Sequence, residues 1–300
     1  MIIQLKGVSK FYGGFQALSN VSAAVQPGAI GLLGPNGAGK STLIKSLLGL
    51  VRLTSGDAQV LGMDVRRQSR EIRQRVGYMP EDDCYLAGLP AIQAVAYAGE
   101  LAGLPPRTAL RRAHEVLDYV GLAEERYREV QTYSTGMKQK MKLAQALIHA
   151  PKLVFLDEPT SGLDPQGRER MIKLIQNLAQ KKGVSVVIST HILHDVEASC
   201  DSVLILSRGA LRVYDTIANL RSSVKETWSV RITGDLTVFT KALVARGCAV
   251  RPSGHEEIEV AGPDASDHVF RAATEAGVIV RHVEAARTSL EEIFLDAVGA

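Results

Sequence analysis

The segment with the clearest chemistry is rich in glycine and ends in a lysine followed by two hydroxyl residues. It consists of Gly34, Pro35, Asn36, Gly37, Ala38, Gly39, Lys40, Ser41 and Thr42. This order matches the pattern G-x-x-x-x-G-K-[ST], in which glycines let successive backbone N–H groups point at phosphate oxygens. In such a loop Lys40 reaches the β- and γ-phosphates of a nucleotide, and the Ser41 hydroxyl is a ligand for Mg²⁺. We therefore predict a phosphate-binding loop, and the alternative is a glycine-rich turn before a helix.

Two adjacent carboxylates form a second candidate site. Asp157 and Glu158 follow residues 153–156, a continuous apolar run that is typical of a buried parallel strand. Open α/β sheets bind their ligands at the carboxyl ends of such strands. We predict that Asp157 coordinates Mg²⁺, directly or through water, and that Glu158 orients the attacking water and accepts its proton. The alternative is a solvated turn.

Three more residues are candidates whose chemistry depends on their surroundings. Tyr12 can stack on a purine base, Ser134 can cap a helix whose free N–H groups bind an anion, and His191 can hydrogen-bond a γ-phosphate. Each also has a structural alternative: a packed aromatic, a plain helix cap and a structural histidine. His194 lies one helical turn after His191, but without a thiolate or a third histidine nearby in sequence we predict no metal site there.

Strands and helices must bring these residues together. Residues 29–33 read as a buried strand before the glycine-rich segment, and residues 43–50 as the helix after it. Further strands are predicted at 2–5, 22–25, 57–61, 184–188, 203–206 and 211–214. Helices are predicted at 89–104 and 106–122, with Pro105 and Pro106 as the break, and at 166–182. Because the first two helices fall between strands of the nucleotide site, we expect an inserted helical lobe.

Composition limits the class of protein. The chain has 300 residues, of which 46% are hydrophobic and 22% are charged, and this balance is typical of folded globular domains. The formal net charge of +3 is too small to indicate a nucleic-acid partner. Three widely spaced cysteines indicate neither a disulfide framework nor a C-x-x-C metal site, which suits a reducing cytosol. Without an apolar run of about 18 residues, we predict no direct membrane insertion.

Together these motifs, over about residues 2–220, resemble those of the ATP-binding cassette (ABC) ATPases. In family order the motifs are the adenine-stacking aromatic at Tyr12, the Walker A loop at 34–42, the signature at Ser134 and Gly136, Walker B at 153–157, the catalytic glutamate at Glu158, the D-loop at 161–164 with Asp164, and the switch histidine at His191. The resemblance implies that ATP and Mg²⁺ are the ligands, and that Ser134, Gly136 and Asp164 contact the nucleotide.

Two motifs depart from the usual family pattern. Glu81 stands where the Q-loop usually has glutamine; it keeps an oxygen ligand for Mg²⁺ but adds a negative charge. The signature reads Tyr-Ser-Thr-Gly-Met, with Thr135 in place of a glycine and Met137 in place of a glutamine. Such looser signatures resemble those of ATP-binding subunits of ABC-2 type exporters, and residues 288–295 are similar to the tail of those subunits.

The resemblance also implies an architecture and an assembly. We expect an α/β fold in which a P-loop core, with a mainly parallel sheet, an antiparallel β subdomain and an inserted helical lobe at about 88–150, occupies residues 1–220. Two chains are expected to form a homodimer with two ATP molecules in the seam, each held by one Walker A loop and the partner's signature. A separate transmembrane permease is expected to contact the lobe surface at 81–98. This assembly implies a peripheral position at the cytoplasmic face of the membrane.

The C-terminal part carries no nucleotide motif. Its predicted order of elements over residues 225–300 is βαββαβ, the order of a ferredoxin-like α+β domain. His255, His268 and His282 are scattered, and we predict no metal site among them. We expect this domain to support dimerisation or regulation, with an amphipathic helix at 289–298 docking back.

Two classes of function compete. The first is the energy-coupling ATPase subunit of a membrane exporter, and the second is a soluble ABC ATPase acting on nucleic acid or ribosomes. Members of the second class usually carry a long coiled-coil insertion or two cassettes, and this sequence has neither. A binding-only switch would lack Lys40 or Glu158, and both are present. We therefore predict the exporter subunit, with no nucleic-acid partner.

Overall fold

The computed structural model describes residues 1–86, 88–222, 227–254, 257–262, 264–286 and 293–294. The chain divides into two compact units, and the boundary lies between Ile217 and Ala218. All the residues with predicted nucleotide chemistry fall in the first unit.

The elements of the first unit alternate between strands and helices. In chain order its strands are β1 (Ile3–Tyr12), β2 (Phe15–Val25), β3 (Ala29–Leu33), β4 (Ser55–Val60), β5 (Met63–Asp64), β6 (Val76–Met79), β7 (Leu153–Asp157), β8 (Ser185–Thr190), β9 (Ser202–Ser207) and β10 (Ala210–Thr216). Its helices are α1 (Lys40–Leu47), α2 (Ser69–Arg73), α3 (Ala91–Leu101), α4 (Pro106–Tyr119), α5 (Thr135–Leu147), α6 (Pro165–Lys182) and α7 (Leu193–Ser199), and α8 (Ile217–Ser222) begins at the boundary.

A six-stranded sheet forms the centre of the first unit, in the order β10-β9-β3-β8-β7-β6. All its neighbouring strands are parallel except β10, which pairs antiparallel with β9. Strands β3, β7 and β8 are buried along their whole length, as expected of strands covered on both faces. Leu33 of β3 pairs with Thr190 of β8, and Asp157 of β7 pairs with Ser189 of β8. The segments that follow these three strands therefore leave the sheet at the same end, that of the strand C-termini.

A second, antiparallel sheet has the order β2-β1-β4-β5. The strands predicted at 2–5 and 22–25 are only the outer ends of a long hairpin, in which β1 and β2 continue to the turn at Gly13 and Gly14. The sequence pattern hides this length because register shifts interrupt the pairing and break the alternation of buried and exposed residues. The two sheets share one hydrophobic core with α1.

The inserted helical lobe lies between β6 and β7, as predicted. Helix α3 is shorter than the predicted 89–104, because Pro90 occupies the N-cap and the helix ends at Leu101. Helix α4 begins with Pro106 at its first position, where a missing N–H costs nothing. A second core cluster joins α3, α4 and α5 to the buried face of β7 and β8, so the lobe is fixed to the sheet by apolar packing.

Helix α1 begins earlier than the predicted 43–50. Lys40, Ser41 and Thr42 form its first turn, and Gly49 ends it in the left-handed region, with a φ of 67°. The glycine-rich loop therefore leads directly into a helix N-terminus, whose free N–H groups suit an anion.

The second unit contains β11 (Thr227–Thr233), α9 (Leu236–Ala245), β12 (Ala249–Pro252), β13 (Glu257–Ala261), α10 (Ala265–Ala276) and β14 (Ile279–Ala286). Its antiparallel sheet has the order β12-β13-β11-β14, and its core contains Val230, Phe239, Leu243 and Val269. This confirms the predicted ferredoxin-like order of elements. Of the helix predicted at 289–298, the structure describes only residues 293–294.

Candidate nucleotide site

The glycine-rich loop is packed so tightly that two of its positions admit only glycine. At Gly34 a Cβ atom would lie 2.4 Å from the carbonyl oxygen of Leu206, and at Gly39 it would lie 2.6 Å from that of Ala17. Gly39 also has a φ of 102°, which side-chain-bearing residues rarely adopt. The backbone of the loop is therefore packed closely between β2 and β9.

Lys40 lies under this loop and is buried. Its Nζ atom donates to the carbonyl oxygen of Gly34 at 2.7 Å and to that of Pro35 at 3.3 Å. The same Nζ atom is 4.0 Å from Oε1 of Glu158. Burial lowers the pKa of Lys40, and the carboxylates of Glu158, Asp157 and Glu81 oppose that shift. The ammonium group thus lies between the loop and the predicted carboxylate pair.

Glu158 follows β7 in an unusual backbone conformation. Its φ of 48° is in the left-handed region, which costs a non-glycine residue about 1 kcal/mol or more. Its N–H donates to the carbonyl oxygen of Ser189 at 2.8 Å, which ties the turn to β8. The Oε2 atom accepts a hydrogen bond from the Thr190 hydroxyl at 3.3 Å. The strained turn therefore directs a buried carboxylate at the end of β8.

His191 completes this cluster. Its Nδ1 atom is 3.0 Å from Oε1 of Glu158. Because an ionised carboxylate only accepts, Nδ1 carries the proton in this contact. The histidine side chain is 52% exposed whereas that of Glu158 is 7% exposed, so the imidazole can reach a ligand while it contacts the carboxylate. The structure thus brings Lys40, Glu158 and His191 together from three different segments.

Asp157 is suited to a metal ion. Its Oδ1 atom is buried and has no hydrogen-bond partner in the described part of the chain, and the same is true of the Ser189 hydroxyl, its register neighbour on β8. A buried carboxylate oxygen without a partner fits a hard cation such as Mg²⁺. Among the described residues no three His, Cys, Asp or Glu side chains form a complete metal cage. This fits Mg²⁺, which usually shares its coordination with phosphate oxygens and water.

A second polar surface lies at the start of α5. Ser134 is its N-cap, and the Ser134 hydroxyl accepts from the N–H of Met137 at 3.3 Å. A cavity of about 410 Å³ opens here; its lining contains Gly136, Asp164, Lys140 and Arg170 and, among the described residues, none from the glycine-rich loop. The N-terminus of α5 and the side chains of Lys140 and Arg170 make this cavity suitable for an anion. This anion would be separate from the phosphates predicted at Lys40.

Asp164 has a structural contact as well as a place in this cavity. Its Oδ1 atom accepts from the N–H of Gly167 at 2.9 Å, so Asp164 caps helix α6. Pro165 follows at the first helical position, and together these two residues fix where the helix begins.

The aromatic residue predicted to contact a base lies at the tip of the first hairpin. Tyr12 is 46% exposed, and Nζ of Lys10 is 4.6 Å from its ring centroid. Phe15, its register partner, is 64% exposed and was not singled out by the sequence. An exposed aromatic pair at a hairpin tip offers a stacking surface.

The structure also shows two buried contacts that the sequence analysis missed. Thr160 donates to Oδ2 of Asp195 at 2.5 Å, and Nε of Arg168 is 3.8 Å from Oδ1 of the same carboxylate. Lys142, buried in α5, donates to the backbone carbonyls of Pro80 and Glu81. Both contacts join residues at least 27 positions apart, and no sequence spacing signals them.

Comparisons with known proteins agree with this geometry. A family profile described as ABC transporter matches residues 18–161. An uncharacterised ABC transporter ATP-binding protein of Bacillus subtilis, YxlF, is 33% identical over 303 residues, which cover 100% of both chains. The chain belongs to the ABC transporter ATP-binding proteins. As predicted, it is an ATP-binding and ATP-hydrolysing subunit of an ABC transporter.

Two further ABC proteins are informative. The bacitracin transport ATP-binding protein BcrA of Bacillus licheniformis is 38% identical and covers 70% of this chain and 68% of its own. The structure of a dimeric ATP-binding cassette, MJ0796, in a post-hydrolysis state with ADP and Pi, superimposes with a TM-score of 0.66. It covers 72% of this chain and 99% of its own at 23% identity, and so supports the ABC ATPase fold. In the described part of this ABC protein no helix is long and apolar enough to cross a membrane.

Proposed function

We propose that this protein is the ATPase subunit of an ABC-2 type exporter, and that it powers a separate permease through ATP-driven closure of a homodimer. The cluster of Lys40, Glu158 and His191 carries this proposal, because it joins a phosphate-binding lysine, a base and a phosphate-contacting histidine at one sheet edge. The relative BcrA is named for bacitracin transport, which favours a transporter over the soluble alternative on nucleic acid or ribosomes.

In the proposed mechanism the residues of one chain bind the phosphates and activate water. The loop N–H groups and Lys40 hold the β- and γ-phosphates, and Tyr12 stacks on the adenine. Glu158 orients the water for in-line attack and accepts its proton, and His191 holds the Glu158 carboxylate while its ring contacts the γ-phosphate. Ser41 and Asp157, with Glu81 beside them, would hold Mg²⁺, which when bound neutralises charge on the phosphate oxygens.

The second polar surface supports the dimer. Because the cavity at Ser134, Gly136 and Asp164 contains none of the described loop residues, one chain does not surround a nucleotide. Two chains facing each other would place each cavity over the partner's ATP and exclude water from it. The structure of the MJ0796 cassette, which is dimeric and bound to ADP and Pi, supports a dimer of this fold.

The surface of the helical lobe supports a permease partner. Leu86, Tyr97 and Leu110 are 54%, 47% and 48% exposed, and they line one groove of about 730 Å³. Glu100 and Arg107 lie in the same groove and offer one charge of each sign. Exposed apolar area with a polar border is typical of a protein interface. We assign this groove to the permease, and with it a peripheral position at the cytoplasmic face of the membrane.

The proposal is tested by what the protein binds in membranes of its own host. The Glu158→Gln variant, tagged and purified in mild detergent with ATP, should retain the ATP-closed state, and mass spectrometry identifies what co-purifies. We expect a polytopic membrane protein in stoichiometric amount. The Lys40→Ala variant, which should not close, is the matched control for partners that bind regardless of nucleotide.

Two outcomes would contradict the proposal. Recovery of ribosomal or DNA-bound proteins, with the tag in the soluble fraction, would favour a cytosolic remodelling ATPase. A monomeric, ATP-filled Glu158→Gln protein, detected by light scattering, would contradict the dimer mechanism.

A further inference from the structure

Lys142 makes an unusual set of contacts for a buried lysine. It lies on helix α5 and is only 2% exposed. Its Nζ atom donates to three consecutive backbone carbonyls, those of Glu81 at 2.6 Å, Pro80 at 3.0 Å and Asp82 at 3.5 Å. An ammonium group has three N–H bonds, so these carbonyls satisfy all of them. Removing such a group from water is unfavourable unless its donors are paired, and here they are.

Two more side chains of α5 contact the same stretch, which we call the 80–85 segment. Nζ of Lys138 is 3.7 Å from Oδ2 of Asp83 and 5.1 Å from the ring centroid of Tyr85. The Sγ atom of Cys84 is 3.7 Å from Oε1 of Gln145. Lys138, Lys142 and Gln145 are spaced by four and three positions and so share one face of the helix. The 80–85 segment therefore lies along α5 and is held there mainly by polar contacts.

Charge explains why a lysine suits this position. Burial lowers the pKa of Lys142, and the nearby acidic groups of Cys84, Asp83, Asp82 and Glu81 oppose that shift. The carbonyl dipoles and the carboxylates together favour a cation, and an apolar side chain would leave three carbonyls without the Lys142 donor. The contact is thus a charge-assisted polar contact and is not simple packing.

In the proposed dimer, the 80–85 segment and helix α5 lie at different nucleotides. Glu81 follows β6, whose Met79 pairs with Leu156 of the parallel strand β7, so it lies at the end of the sheet where Asp157 and Glu158 are placed. Its carboxylate also acts electrostatically on Lys40. Helix α5 begins at Thr135, capped by Ser134, at the cavity proposed for the partner's ATP. Lys142, which joins the 80–85 segment to helix α5, is in the middle of that helix, eight positions after Ser134.

We infer that Lys142 is a positioning residue: it holds Glu81 at the chain's own ATP site and makes the 80–85 segment move with the helix that contacts the partner's ATP. This inference rests on the proposed function, because it uses the role of Glu81 near Mg²⁺ and that of Ser134 in the dimer. Lys142 itself touches neither nucleotide. Its effect on hydrolysis passes through Glu81.

A double-mutant cycle tests whether Lys142 acts through Glu81. The four full-length proteins are wild type, Lys142→Met, Glu81→Ala and the double variant, because methionine has a similar length but no charge and no donor. We expect Lys142→Met to lower kcat about 10-fold with little change in the KM for ATP, since small misplacements of a reacting group are costly. In the Glu81→Ala background the same change should alter kcat by less than about 2-fold.

Unfolding in denaturant separates positioning from stability. The carbonyl contacts involve the backbone, so Lys142→Met should lower the free energy of unfolding equally in both backgrounds, whereas its effect on kcat should not be equal. Lys142→Arg keeps a cationic donor and should stay within about 3-fold of wild type in kcat. If the methionine variant does not fold, Lys142→Gln, which keeps two N–H donors, replaces it. Lys173→Met, an exposed lysine that pairs with Glu169, is the control.

Any of three results would overturn the inference. The first is an equal loss of kcat from Lys142→Met in the wild-type and Glu81→Ala backgrounds. The second is a wild-type kcat in Lys142→Met, and the third is a wild-type kcat in Glu81→Ala. None of them removes the proposed function, which fails separately if only ribosomal or DNA-bound proteins co-purify or if ATP-filled Glu158→Gln protein is monomeric.

Discussion

Oε1 of Glu158 lies 3.0 Å from Nδ1 of His191, although the two residues follow different strands of the sheet. Strands β7 and β8 are parallel neighbours, so their carboxyl ends place the two side chains side by side. The strained φ of 48° at Glu158 turns its carboxylate towards β8. This pair links a buried carboxylate, which we propose is the base, to a half-exposed ring that can contact substrate.

Glu158→Gln is expected to abolish turnover while ATP binding remains. An amide cannot accept the proton of the attacking water, and loss of a general base lowers kcat by about 10²–10⁴-fold. Phosphate release measures kcat, and light scattering with ATP should show a dimer. The Lys40→Ala/Glu158→Gln double variant is the control, because it should remain monomeric. A kcat within a few-fold of wild type would exclude Glu158 as the base.

His191→Ala is expected to lower kcat by about 10²-fold, because it removes the group that we propose contacts the γ-phosphate in the transition state and orients the Glu158 carboxylate. The KM for ATP should change little, since the phosphate loop provides most of the ground-state binding. Steady-state phosphate release gives both constants. His194→Ala is a matched control, because His194 is also exposed and lies three residues further along the chain, in helix α7. Equal losses in the two variants would contradict a specific role for His191.

Thr160→Val is expected to lower both stability and kcat. It keeps the shape of this buried side chain but removes the hydroxyl that donates to Asp195, and leaving a buried carboxylate short of a donor costs about 1–3 kcal/mol. Thr160 lies two residues after Glu158, and Asp195 lies four residues after His191 on the next segment, so the contact also aligns the pair. Thr160→Ser, which keeps the hydroxyl, is the matched control.

Denaturant unfolding and steady-state kinetics measure these two effects. We expect kcat of Thr160→Val to fall about 10-fold, because small misalignments of reacting groups are costly, while Thr160→Ser stays near wild type. If valine and serine variants have the same kcat, the hydrogen bond to Asp195 does not align the site.

ATP binding is expected to weaken at a lower alkaline pH than it would if Lys40 had the pKa of an ordinary lysine. Burial lowers the pKa of Lys40 below its usual 10.5, so the free protein loses the ammonium charge as pH rises through that lowered value. Below the lowered pKa of Lys40, titration of this group should not change the association constant for ATP. Above that pKa, the association constant should fall as pH rises. Fluorescence titration with a nucleotide analogue over this range measures the change.

Lys40→Arg provides the control for this pH dependence. A guanidinium keeps its charge throughout the range, so the variant should show no such decrease even if its affinity is lower at every pH. Lys140 and Lys142 also have lowered pKa values, and both are unchanged in this comparison. The same decrease in wild type and Lys40→Arg would assign it to another group.

Leu110→Glu is expected to weaken permease binding without affecting hydrolysis by the isolated subunit. It places a charge in the exposed groove of the helical lobe, where a partner would have to bury it. Detergent co-purification should recover less membrane protein with this variant, and phosphate release without the partner should match wild type. Val244→Glu, at an exposed position of the second unit, is a control of equal charge. Undiminished recovery would exclude the groove as the contact.

Local patterns in the sequence were sufficient to predict the nucleotide chemistry of this protein. The glycine-rich loop, the apolar run before Asp157 and Glu158, and the βαββαβ order of the C-terminal part depend on neighbouring residues, and such signals survive in a single sequence. Element ends were less accurate, as the long β1–β2 hairpin shows, because bulges and pairing partners decide where a strand stops.

The tertiary structure alone decided which distant residues support that chemistry. Thr160 contacts Asp195 across 35 positions, and Lys142 contacts the carbonyl of Glu81 across 61. These contacts form only when the parallel strands and the helical lobe have packed, so no spacing in the chain encodes them. The chain's own motifs therefore specify what is bound and cleaved, and packing between remote segments determines how the catalytic groups are aligned.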